Sequence, residues 1–188
     1  MIINESGLLK AMKASYKDGY HVAVGPLFAK EYMMIVGYGY VWAVAIERNN
    51  VPRKVLGLIA EHIGKLPQSG EAFCVKRDEE AQEEIFRVAT EPLYRMTEET
   101  ANFEALPLMY KTKLVFGGRN VWQHPGDEEV MLINPRYENI ALCKSGAIRK
   151  VQHCLCVQGE FSNAFIGKVL PAKDEEALVQ RMNKHLWV

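Results

Sequence analysis

The chain has no net charge to spend on a polyanion: 23 Lys and Arg balance 23 Asp and Glu among 188 residues. A basic excess or stripe is the usual footprint of a nucleic-acid binder, and the basic clusters here are short, Lys111 with Lys113 and Arg149 with Lys150. There are only 4 cysteines, Cys74, Cys143, Cys154 and Cys156. A chain this long buries enough core to fold without a disulfide framework. The most apolar stretch, residues 32–46, contains two glycines and is too short to span a bilayer, which takes about 20 residues. The first residues, Met-Ile-Ile-Asn-Glu-Ser, lack the basic and apolar regions of a secretory signal. Together these absences lead to the expectation of a cytoplasmic protein with reduced thiols and no membrane partner. No internal repeat, heptad or low-complexity tract is present.

What is there is an ordinary globular composition, 48% hydrophobic and 24% charged. Asn4 followed by Leu8, Leu9, Met12 and Tyr16 predicts a helix over 5–17, stopped at Gly19. Residues 21–24, 32–36 and 40–46 read as strands, the last two forming a hairpin around Gly37 and Gly39. Trp42, Val44 and Ile46 alternate with Val41, Ala43 and Ala45, so both faces of the third run are apolar, as in a central strand. Val55, Leu56, Ile59 and Ile63 form the stripe of a second helix from Pro52 to Gly64. A short strand is expected at 72–75, then a helix capped by Asp78 with an acidic first turn. Between Thr90 and Pro107 the pattern weakens, and a long irregular segment is expected. The second half reads as strands at 111–116, 121–123, 130–133, 140–143, 148–157 and 164–170. A final helix carries Val179, Met182 and Leu186 behind Asp174. Strands occur in runs, which predicts α+β with largely antiparallel sheet and about four helices. Residues 1–188 are expected to form one domain, with two lobes, 1–90 and 108–188, as the alternative division about the 90–107 segment.

Chemistry-bearing motifs are few. Gly37-Tyr38-Gly39-Tyr40 lacks the third glycine and following helix of a dinucleotide fingerprint, and Gly167-Lys168-Val169 lacks the spacing and hydroxyl of a phosphate loop. No cofactor is expected. His153-Cys154-Leu155-Cys156, with Cys143 upstream, is the densest group of soft ligands. In one continuous strand Cys154 and Cys156 share a face and His153 takes the other. Cys143, Cys154 and Cys156 are therefore the metal candidates, and Cys154, Cys156 and His153 the catalytic ones, against packing as small hydrophobes. A nucleophilic pair would join one of Cys74, Cys143, Cys154 and Cys156 to one of His21, His62, His124, His153 and His185. His62, near the end of its helix, suits a cation facing the dipole. Asp78 to Glu84 reads as a solvated acidic turn. Trp187 is expected to dock on the sheet.

Residues 50–64, Asn-Val-Pro-Arg-Lys-Val-Leu-Gly-Leu-Ile-Ala-Glu-His-Ile-Gly, resemble a segment of small uncharacterised proteins of Gram-positive bacteria and their prophages. The resemblance implies a cytosolic accessory protein and transfers no site residue. The function expected is a non-enzymatic interaction module that self-associates or binds a protein partner. The alternatives are an enzyme using a Cys–His pair or metal near Cys143, Cys154 and Cys156, and nucleic-acid binding. The last would use Lys111, Lys113, Arg149 and Lys150 on one sheet face, with Tyr110 or Trp122 stacking on bases.

Overall fold

Strands with apolar side chains on both faces build one large sheet. The computed structural model describes residues 2–124, 129–141 and 148–185, with side chains described up to residue 182. β1 (Tyr20–Leu27), β2 (Lys30–Gly37) and β3 (Trp42–Glu47) form an antiparallel meander. β4 (Ala72–Val75) and β5 (Gln82–Glu84) extend it beyond β1. On the other side come β11 (Ser162–Gly167), β10 (Cys154–Gly159) and β9 (Arg149–Val151). The order is β5-β4-β1-β2-β3-β11-β10-β9, antiparallel throughout. β3 is central, and Trp42 to Ile46 are all buried. β6 (Tyr110–Phe116), β7 (Arg119–Gln123) and β8 (Val130–Ile133) make a second, three-stranded antiparallel sheet. With five helices among the described residues, four of them longer than one turn, the fold is α+β.

Each face of the large sheet has its own core. Tyr20, Val22, Ile35, Trp42, Val44 and Ile166 meet α1 (Glu5–Ser15), α2 (Arg53–Ile63) and the inner face of the small sheet. Ala23, Met34, Ala43, Ala45 and Phe165 meet α3 (Phe86–Glu99) through Leu93 and Met96. Gly25 lets α3 approach: a Cβ there would lie 2.4 Å from the Phe86 ring. The outer face of the small sheet is covered by α5 (Glu176–His185) through Val179. α4 (Pro135–Glu138) is a single turn that the strand-like pattern of the second half conceals, capped by the Asn134 side chain.

Three expectations are corrected. Asp78 does not cap a helix; it has φ 62°, and residues 82–84 pair with β4 as an edge strand. The segment 90–107 is not an irregular linker. It continues α3 and a 3-10 stretch, Thr100–Ala105. Pro92 inside α3 lacks an N–H, so only the carbonyl of Val88, on the outer side, loses its helical partner. The run 148–157 is two strands, because Gln152 at φ 51° turns the chain back. The two halves share one sheet, since β11 pairs with β3. Of the predicted strand 140–143, Ala141 bridges Ile3; Cys143 and Trp187 lie outside the described residues.

Two polar contacts, one buried and one partly buried, fix α1 and α2 on the sheet. Trp42 Nε1 donates to Ser15 Oγ at 2.9 Å, both buried. The Tyr20 hydroxyl and His62 Nδ1 are hydrogen-bonded at 2.6 Å, and the imidazole stacks on Tyr16 with centroids 3.9 Å apart. Burial pushes the His62 pKa down, with Lys13 acting in the same direction and Glu61 against it. The cation expected at this helix end is thus disfavoured. Ser15→Ala leaves the indole N–H unpaired and costs about 1–3 kcal/mol, readable in urea denaturation. Because the folded state prefers neutral His62, the stability contributed by the Tyr20–His62 contact is complete above the ordinary imidazole pKa of about 6.5 and is lost as pH falls from there through the lower folded-state pKa. His62→Gln removes this part of the acid dependence, measured as a flatter slope of stability against pH between 7 and about 5.

Candidate functional site

Pairing register brings together three side chains that lie far apart in the chain. His21 of β1 is directly opposite Cys74 of β4, and Ala72 of β4 is opposite Glu84 of β5. With period-two alternation, His21, Cys74 and Glu84 all project from the α3 side of the sheet. There β1, β4 and β5 run out past the start of α3. One donor atom from each of the three lies within 4.8 Å of the other two, and all three residues are half-buried. His21 Nδ1 donates to Glu84 Oε2 at 2.6 Å. The described residues hold one such grouping of metal-ligating side chains. His21 and Glu84 line a cleft of about 340 Å³ that is also walled by Tyr40, Ile85, Val88 and Ala89. The Tyr40 hydroxyl donates to the Ala89 carbonyl at 2.8 Å and ties the β2–β3 connection to α3.

The electrostatics disfavour a free thiolate. Burial raises the Cys74 pKa first, the Glu84 and Glu79 carboxylates raise it further, and Lys76 lowers it. Burial, followed by the same Glu84 charge, pushes Tyr40 up to about 12. A nucleophilic cysteine needs a cationic surrounding that favours the thiolate. Cys74 has its imidazole neighbour, but that neighbour's Nδ1 is committed to Glu84.

The other sequence candidates are placed elsewhere. Cys154 and Cys156 are buried in the core under α3. Burial raises Cys154 to about 11, and burial together with Cys154 raises Cys156 higher still. His153 is exposed in the β9–β10 turn rather than in a continuous strand. As metal or catalytic candidates Cys154 and Cys156 are thus protonated core thiols, and Cys143 lies outside the described residues. The four basic residues do not share a face. Lys111, on the small sheet, pairs with Glu138 at 2.8 Å. Arg149, on the large sheet, is buried against Glu104 and the Leu106 carbonyl. Lys150 pairs with Glu129. Trp122 is buried, its Nε1 donating to Glu138 at 2.7 Å, so its ring is not a stacking platform. Sequence reasoning named His21 and Cys74 among many possible pairs and did not single them out. Only strand register selects them, and Glu84 lay in a run read as a solvated turn.

Beside the cleft, α3 presents an outer face. Ile85 and Val88 are 72% and 71% exposed. Val88, Pro92 and Arg95 recur at helical spacing along a shallow depression of about 650 Å³, bordered by Arg87, Glu91 and Gln152. Glu91 lies between two arginines, 3.2 Å from Arg95 and 3.9 Å from Arg87.

The chain matches no protein-family model, no curated protein and no solved structure. No helix among the described residues is long and apolar enough to cross a membrane.

Alkylation should separate the cysteines. In the folded protein an iodoacetamide probe should modify Cys74 slowly and leave Cys154 and Cys156 unmodified until denaturant is added. Glu84→Gln should speed Cys74 labelling at neutral pH, by up to about tenfold per unit fall in pKa, as followed by peptide mass spectrometry.

Proposed function

We propose that the protein is a non-enzymatic interaction module of the cytosol whose working face is the outer side of α3. The carrying observation is the exposure of Ile85 and Val88 beside the depression lined by Arg87, Pro92 and Arg95. A helix normally turns such apolar side chains inward, and α3 already does so with Leu93 and Met96. Two arginines against one glutamate leave the depression cationic. The partner it suits is an amphipathic segment that sets an apolar side chain on Val88 and Pro92 and carboxylates on Arg87 and Arg95, a helix-in-groove mode of recognition. Free thiols at Cys74, Cys154 and Cys156 are in keeping with a reducing compartment. Zero net charge puts no long-range barrier in the way of a second copy as occupant.

A benzophenone-bearing residue at position 88, activated in living bacteria, tests this directly. The expected result is a discrete adduct that is absent when the probe replaces Leu178 on α5 and is lost in the double variant Arg87→Glu, Arg95→Glu. An adduct of twice the chain mass would identify a second copy, and light scattering of the purified protein would then show a dimer. Equal, diffuse labelling from positions 88 and 178 would overturn the proposal.

A further inference from the structure

We propose that His21, Cys74 and Glu84 form a binding site for a divalent cation of the zinc class, with three protein ligands and a fourth position supplied by water from the cleft. The inference concerns the floor of the cleft and does not rest on the partner proposed for α3.

The donor set decides the class of ion. One thiolate, one imidazole and one carboxylate suit zinc and its first-row neighbours, whereas magnesium and calcium prefer all-oxygen shells. Three protein ligands plus a solvent position is the pattern of open zinc sites, as opposed to the four-ligand structural sites. Charge also balances: a thiolate and a carboxylate together neutralise a dication, and imidazole binds as the neutral ring. Binding exchanges the Cys74 S–H bond for a metal–sulfur bond, and the thiol proton goes to solvent. Nδ1 of His21, which now donates to Glu84, gives up its proton to solvent and the ring takes one up at Nε2, so the imidazole binds neutral and its hydrogen bond to Glu84 is given up. No oxidant or reductant is involved.

The geometry needs little adjustment. In a tetrahedral zinc shell the nitrogen and oxygen ligands lie about 3.4 Å apart and sulfur about 3.6 Å from nitrogen, given metal–ligand distances near 2.0–2.3 Å. His21 and Glu84 must therefore open from 2.6 Å, and no pair of donor atoms begins beyond 4.8 Å. Two ligands sit on hydrogen-bonded, directly opposed strand positions and the third on the adjoining edge strand, so side-chain rotation suffices. The surroundings favour the exchange. Glu84 and Glu79, which hold the Cys74 proton on in the absence of a cation, become favourable once a dication lies between thiol and carboxylate. Tyr40, held by Ala89, walls the cleft on the side where the fourth ligand enters.

The full-length protein titrated with cobalt(II) tests the site, followed by zinc competition and by native mass spectrometry. The expected result is one equivalent of cobalt with a thiolate-to-cobalt charge-transfer band and tetrahedral visible bands, displaced by zinc and not by excess magnesium. Cys74→Ser should abolish the charge-transfer band. His21→Gln and Glu84→Gln should each weaken binding by at least about 10- to 100-fold, while Glu80→Gln, on the neighbouring turn, should change it less than about twofold. All four side chains are at least partly exposed, and circular dichroism confirms that each variant is folded. No stoichiometric binding, a band that survives Cys74→Ser, or affinity that is unmoved by both His21→Gln and Glu84→Gln would each overturn the assignment.

Discussion

The pairing of β3 with β11 is the constraint on which the rest of the molecule depends. It joins a meander made by the first half of the chain to the hairpins of the second. It also places the most apolar strand, with Trp42 to Ile46 buried, at the middle of eight. Because this strand is apolar on both faces, both must be covered by side chains from other layers. That requirement calls α1, α2 and the small sheet to one face and α3 to the other.

The two coverings are unequal, and the inequality creates the site. On one face α1, α2 and the three-stranded sheet together shield a large core, sealed by the Trp42–Ser15 and Tyr20–His62 contacts. On the other, among the described residues, α3 and the 3-10 stretch after it cover the sheet. α3 begins at Phe86, against Gly25, and beyond it the ends of β1, β4 and β5 keep a half-exposed strip of polar side chains. His21, Cys74 and Glu84 are the members of that strip with ligating atoms. In the interior the same residue types are silenced by burial, as at Cys154 and Cys156, where a thiol stays protonated for want of solvent.

Charge is used locally in this molecule. Lys111, Arg149 and Lys150 each find a carboxylate on a neighbouring element and act as ties between layers. Glu138 gathers Lys111, Asn120 and Trp122 and fixes α4 on the small sheet. A basic residue in the sequence was therefore a poor guide to a basic surface. α3, by contrast, keeps two arginines around one glutamate on an outer face that also carries Val88.

Local periodicity determined much by itself. The first two helices, the strands of the meander, β4, the small-sheet strands and the α+β class all follow from apolar spacing and turn residues, which act within a few positions of the chain. The third helix was misplaced because acidic residues imitate a first turn and Pro92 imitates a stop; packing of Phe86, Leu93 and Met96 on the sheet overrode both. The break at Gln152 was invisible because a residue at positive φ leaves no mark in an apolar run. The site was decided by tertiary structure alone. His21, Cys74 and Glu84 become neighbours through cross-strand register, and register is fixed by which faces must be buried across the whole sheet.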